Sequence, residues 1–155
     1  MKQEFLAFRD LSYSAFHRPA SLARFLPRHE ADSLAMLDVD GAYFEFDGTS
    51  RTPLVLVEVA RDRGQTWKSA TVIASLARMA GLPAYCVLYS VSERGNPADG
   101  RFADIEGFRV RRIVPRPETN WRRLSPAQWV GALVRIRAWS LKRLGTTAAN
   151  DDRFG

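Results

Sequence analysis

The run Leu54-Val55-Leu56-Val57-Glu58-Val59-Ala60 constrains this chain more than any other segment. A short, almost wholly aliphatic stretch reads as a strand covered on both faces. Such a strand sits in the middle of a sheet, with helices on either side. Glu58 breaks the pattern. Side chains alternate along a strand, so Glu58 shares its face with Leu54, Leu56 and Ala60. A carboxylate placed among aliphatic groups is costly unless a cation or metal ion pairs with it.

The segments around this strand set the rest of the expectation. Residues 1 to 33, broken by Pro19 and Pro27, predict one or two short helices packed on a sheet. Residues 34 to 48 predict a strand pair or one long bent strand, with Gly41 at a turn or bulge. The spacing over 65 to 80 predicts a helix ended by Gly81 with Pro83 beyond it. Residues 84 to 90 predict a second buried strand, parallel to the first through a right-handed crossover. A polar loop over 92 to 106 and an outer strand over 107 to 115 follow. Ser125-Pro126-Ala127-Gln128 has a capping-box pattern, opening a helix to about Leu144. The fold expected is a mixed α/β (α+β) domain of three layers, a central mixed β-sheet flanked by helices. Residues 1–144 form that one domain and 145–155 a flexible tail.

Composition narrows the setting. The chain has 155 residues and a net charge of +6. Cys86 is its one cysteine, so an internal disulfide and a thiolate zinc site are excluded. Cys86 reads as a buried, inert thiol. His17 and His29 lack zinc-ligand spacing and read as structural or exposed. No apolar run has the length of a membrane span, and the first residues lack a signal-peptide core, so a cytoplasmic protein without a membrane partner is expected. Residues 107 to 144 hold ten Lys/Arg against Glu118 alone, a net +9, which leaves the remainder at −3. A basic segment beside an acidic one suits a polyanionic partner. Arg109, Arg111 and Arg112 on the outer strand, with Arg135, Trp139, Lys142 and Arg143 on the last helix, are the candidate nucleic-acid contacts. Arg137 falls inside that helix's apolar arc, where it forms a buried pair or meets a partner.

The acids and one lysine form the second constellation. Asp38 and Asp40 share a strand face. On a helical wheel for 65 to 80, Gln65 and Lys68 fall on the stripe of Val72, Leu76 and Met79, read as the buried face. The helix would then aim Gln65 and Lys68 at the sheet near Glu58, with Trp67 and Arg78 outward. Lys68 is one of three lysines in the chain.

Aspartate, then a glutamate in an apolar strand, then a lysine: this order resembles the PD-(D/E)XK nuclease superfamily, the restriction-endonuclease-like fold, over about residues 20 to 90. The resemblance matches Asp40, or Asp38, to the first acid and Glu58 to the second. Two departures stand out. No proline precedes either aspartate, and Ala60 replaces the lysine of Glu-x-Lys. Some superfamily members carry that lysine on the neighbouring helix, which is where Lys68 is expected. The resemblance implies a metal-dependent nuclease hydrolysing DNA phosphodiester bonds. Asp40, Glu58 and Asp38 would bind Mg²⁺ or Mn²⁺, and Lys68 and Gln65 would serve the attacking water and the phosphate. For small junction-resolving members it also implies a homodimer. Other assignments stay open at this point. Glu58 pairs structurally with Arg61, Arg63 or Lys68; the aspartates are turn and edge residues; Asp62 caps the next helix. The whole is then an inactive nucleic-acid-binding or assembly protein, or an unrelated scaffold with a partner at Trp121 and Trp139.

Overall fold

The computed structural model of the chain describes residues 11–37, 42–46 and 51–151, with side chains described throughout these except at 35–37, 42, 45–46 and 144–151. Three short helices come first: α1 (Ser12–Phe16), α2 (Pro19–Leu22) and α3 (Arg28–Ser33). Pro19 opens α2 and Pro27 caps α3, positions where a missing N–H leaves no helical bond unmade. Strands β1 (Leu34–Leu37), β2 (Ala42–Phe46) and β3 (Arg51–Arg61) form an antiparallel meander. Helix α4 (Thr71–Ala80) leads to β4 (Ala84–Asn96), which pairs parallel with β3. Strands β5 (Asp99–Val114) and β6 (Arg122–Leu124) add on antiparallel, and α5 (Pro126–Asp151) follows. The six strands lie in the order β1-β2-β3-β4-β5-β6. The protein is therefore a mixed α/β fold with a mixed sheet.

Strand alternation divides the interior in two. Val55, Val57, Val87, Phe108 and Val110 enter a large core with α1 and α5. Leu56, Ala84 and Val114 enter a smaller core with Ile73 and Ala77 of α4. Helices thus cover both faces, as the aliphatic run predicts. At the start of α5 the expected capping box is present: Ser125 N–H donates to Gln128 Oε1 at 2.9 Å, and Gln128 N–H to Ser125 Oγ at 3.2 Å. Gly81 ends α4 in the left-handed region at φ 68°. No described helix is long and apolar enough to cross a membrane.

Five expectations need correction. The helix begins at Thr71, not near residue 65. The preceding segment is tied to the sheet by tertiary donors: Arg109 Nη2 donates to Gln65 O at 2.8 Å, and Trp121 Nε1 to Thr66 O at 2.9 Å. The stripe of Val72, Leu76 and Met79 is also the exposed face, not the buried one. Ile73 and Ala77 are the buried pair, while Val72 and Met79 are 77% and 85% exposed. Next, the span from 92 to 106 is not a loop but the arms of a β-hairpin, closing at the Asn96–Asp99 pair. Buried Asn96 fixes that turn, accepting from Ala98 N–H at 2.8 Å and donating to Ser21 Oγ at 3.0 Å. Strand β5 is also not outermost, because β6 pairs with it. Lastly, α5 continues through Asp151, past the end expected at Leu144.

His17 is structural, as its isolation in the sequence suggests. It is buried beside Tyr13, Phe16 and Tyr43. Its Nδ1 donates to the Tyr13 carbonyl at 2.7 Å, and Nε2 accepts from Trp129 Nε1 at 3.0 Å. Both ring nitrogens are satisfied only in the neutral form. Burial lowers the imidazole pKa to about 4, against the raising effect of the Tyr13 carbonyl. The unfolded chain, with a normal imidazole pKa near 6.5, then binds a proton that the native state refuses. Native stability is full above about pH 6.5 and falls as the pH drops toward 4. Denaturant melts should show a loss of about 2 kcal/mol between pH 7.5 and pH 5. In His17→Gln that loss should be absent; an equal loss in the variant would assign it to other groups.

Candidate active site

Strand register sets Glu58, Cys86 and Arg111 in one row across β3, β4 and β5. Glu58 is level with Cys86, and Cys86 with Arg111. The next row holds Ala60, Leu88, Arg109 and, on β6, Arg123. Alternation from Leu56 turns both rows toward the α4 face of the sheet. The segment between β3 and α4 runs over this face. Lys68 lies in it and reaches back to Glu58, with Nζ 3.0 Å from Oε1. The Glu58 side chain is 16% exposed and the Lys68 side chain 30%.

Arg111 completes the group. Its guanidinium packs 5.1 Å from the Trp121 ring centroid, and its Nε is buried without a hydrogen-bond partner. A buried, unmade donor costs about 1–3 kcal/mol. Cys86 lies between the charges, its Sγ 3.9 Å from the Lys68 carbonyl oxygen. Burial pushes the thiol pKa up, and Glu58 adds to this, against the pull of Arg111 and Lys68. The thiol therefore stays protonated and unreactive. Alongside runs an open groove of about 330 Å³, lined in part by Trp67, Lys68, Arg78 and Arg111. Three cations beside one carboxylate give the groove a net positive charge, suited to an anion with an aromatic neighbour.

The approach of Lys68 depends on how its segment is tied down. Asp62 Oδ1 accepts from Gly64 N–H at 2.9 Å, closing a turn with Gly64 at φ 80°. Gln65 holds the same turn: its Oε1 accepts from Arg63 N–H at 2.6 Å, and its Nε2 donates to Arg61 O at 2.9 Å. Arg109 then forks onto Asp62, with Nε and Nη2 at 2.7 and 2.6 Å. These bonds hold the Asp62 carboxyl below its ordinary range, the Arg109 hydrogen bond most of all.

The expected site residues thus separate. Glu58 and Lys68 do meet, although Lys68 comes from an irregular segment rather than a helix. Gln65 braces that segment with its amide instead of presenting it to Glu58. Asp38 and Asp40 lie outside the described residues. Ala42, two positions after Asp40 in sequence, pairs with Leu56, two positions before Glu58. Among the described residues no group of three His, Cys, Asp or Glu side chains converges on a metal site. Asp62 does not cap the helix; Ala70 stands at the cap, and Asp62 is committed to Arg109.

The candidate nucleic-acid residues lie on both faces of the sheet. Arg109 is corrected to a structural role, because its charge is spent on Asp62 and its side chain is only 12% exposed. Arg111 faces the groove with Lys68, whereas Arg112, one residue on, faces α5. Arg135 and Trp139 lie on α5 over that second face, and Lys142 and Arg143 are exposed further along. Arg137 donates to Ser33 Oγ at 2.9 Å. The sequence places Trp67 and Arg78 outward and assigns them no site. They do face outward, but line the same groove as Lys68, a relation between segments that periodicity does not report. No family model matches the sequence, and no curated protein or solved structure matches the chain.

If Arg109 holds the Lys68 segment, Arg109→Ala should lower unfolding free energy by about 2 kcal/mol or more. Asp62→Asn should act in the same direction. Denaturant titration checks this, and a loss within 0.5 kcal/mol would leave the fork without a structural role (about the spread of ordinary surface substitutions).

Proposed function

We propose that the chain is a metal-dependent nuclease that hydrolyses DNA phosphodiester bonds at the Glu58–Lys68 centre. The observation that carries this reading is the 3.0 Å approach of Lys68 Nζ to Glu58, beside a groove lined by Arg111 and Arg78. A strand glutamate meeting a lysine from a later segment is the pattern expected when the strand position itself is alanine, as at Ala60.

The donor chemistry is consistent with Mg²⁺ or Mn²⁺. Glu58 offers a hard carboxylate, one oxygen of which lies 3.0 Å from Lys68 Nζ. Asp40, with Asp38 as auxiliary, would supply the second carboxylate. Bound there, the ion would polarise the phosphate and acidify a water.

The chain's own groups have distinct tasks. Arg111 and Arg78 would hold the phosphate oxygens, and the unpartnered Arg111 Nε gains the acceptor it lacks. Trp67, largely exposed on the groove wall, would pack against the adjoining sugar or base. Lys68 would hold the attacking water and offset charge on the phosphoryl oxygens as it grows. In the hydrolysis the water oxygen bonds to phosphorus, the P–O bond to the leaving sugar oxygen breaks, and that oxygen takes up a proton.

The test is cleavage of plasmid and branched DNA in Mg²⁺ or Mn²⁺. Glu58→Gln and Lys68→Met should each slow cleavage by about 10²-fold or more, the usual cost of losing a preorganised charged group. Their melting temperatures, compared with wild type, separate lost chemistry from lost folding. Folded variants that cut at the wild-type rate would reduce the pair to a structural ion pair. The absence of any cleavage by wild type would favour an inactive nucleic-acid-binding protein.

A further inference from the structure

The second basic surface is a cleft on the sheet face opposite Glu58. It lies between α5 and strands β4 to β6, with a volume of about 550 Å³. That is within the roughly 300–1,000 Å³ of ordinary small-ligand sites. The floor is aromatic and aliphatic, built on Tyr85, Leu124 and the edge of buried Trp129. Ala132 opens the space: it stands one turn from both Trp129 and Ile136 on the same helix face, where a larger side chain would fill the cleft. Trp139 forms part of the wall, 43% exposed and stacked 4.6 Å from the Arg143 guanidinium.

The rim is cationic. Arg112 and Arg122 share a single acid, Glu118, at 3.9 and 3.3 Å. Arg116 and Arg135 have no ion pair among the described residues. Four arginines against one glutamate leave an excess of positive charge around an aromatic interior. Arg116 is also the one described non-glycine residue with positive φ, at 55°. Backbone held in that region costs on the order of 1 kcal/mol and gathers at ligand clamps.

We propose that this cleft binds one nucleotide unit, the base against Trp139 and Tyr85 and its phosphate on Arg116 and Arg135. A flat π-system and a phosphate anion, joined a few bonds apart, match the two halves of the cleft. A free nucleotide and one nucleotide of a single strand share this chemistry. The inference does not depend on cleavage at Glu58, which lies across the sheet.

The test uses the full chain in EDTA, so that hydrolysis plays no part. Intrinsic tryptophan fluorescence and calorimetry would follow titration with deoxyadenosine monophosphate, with a short single-stranded oligodeoxyadenylate, and with inorganic phosphate. Trp139→Ala and Arg135→Ala should each weaken nucleotide binding about tenfold or more. Trp139→Phe should restore most of the affinity, and Ala132→Phe should abolish it by filling the space. Both Trp139 and Arg135 are exposed, and an unchanged melting temperature confirms folding. Tighter binding of the oligonucleotide identifies a strand site; equal binding identifies a free-nucleotide site; either supports the proposal. Inorganic phosphate competing as well as the nucleotide would overturn it. Wild-type affinity in Trp139→Ala or in Ala132→Phe would also overturn it.

Discussion

The parallel pairing of β3 with β4 is the constraint on which the rest of the molecule depends. It puts Val57 beside Tyr85 and Glu58 beside Cys86, and each step along the strands changes the face. On one side this builds a deep aromatic core in which Phe16, Tyr43 and Trp129 are fully buried. On the other it builds a thinner layer, covered by α4 and the segment before it. Glu58 is found in the thinner layer. Its side chain is 16% exposed rather than sealed, and Lys68, 3.0 Å away, offsets its charge. A carboxylate turned into the aromatic core would meet the neutral His17 and the Tyr13–Tyr43 hydroxyl pair, neither of which brings a positive charge.

The segment from Asp62 to Ala70 converts that arrangement into a site. It has no regular structure, yet it is tied at both ends. Asp62 is clamped by Arg109, Gln65 closes the turn, and Trp121 donates to Thr66. The donors come from β5 and from the approach to β6, so the far edge of the sheet positions Lys68. The same ties fix Gln65 and Thr66 against β5 and the approach to β6, and α4 begins only beyond them at Thr71.

The arginine-rich segment looks uniform along the sequence and is not uniform in space. Arg111 and Arg112 are neighbours in chain and point to opposite faces. One joins the groove beside Glu58 and the other the cleft beneath α5. Arg109 belongs to neither, its charge being spent on Asp62. The net +9 thus divides into a structural fork and two separate basic surfaces.

The central strand, the parallel crossover, the end of α4 at Gly81 and the capping box at Ser125 were all legible in the sequence. Each is a local pattern: an aliphatic run, a glycine at positive φ, a serine and a glutamine three residues apart. The Glu58–Lys68 meeting was legible too, through the cost of an acid in an apolar strand, although its route was not. Helical periodicity placed Val72, Leu76 and Met79 inside, and they lie outside. What captures the Gln65 and Thr66 carbonyls is Arg109 and Trp121, more than forty residues away in sequence, and no local pattern reports a bond of that range. The strand pair across 92 to 106 stayed hidden for a related reason, since its polar arms are held by ladder bonds and by one buried asparagine. Sequence alone therefore determined the central strands, which acid needed a partner and which segment carries the positive charge. Only the tertiary structure decided which cations meet Glu58, because strand register and long-range hydrogen bonds, not chain proximity, set those distances.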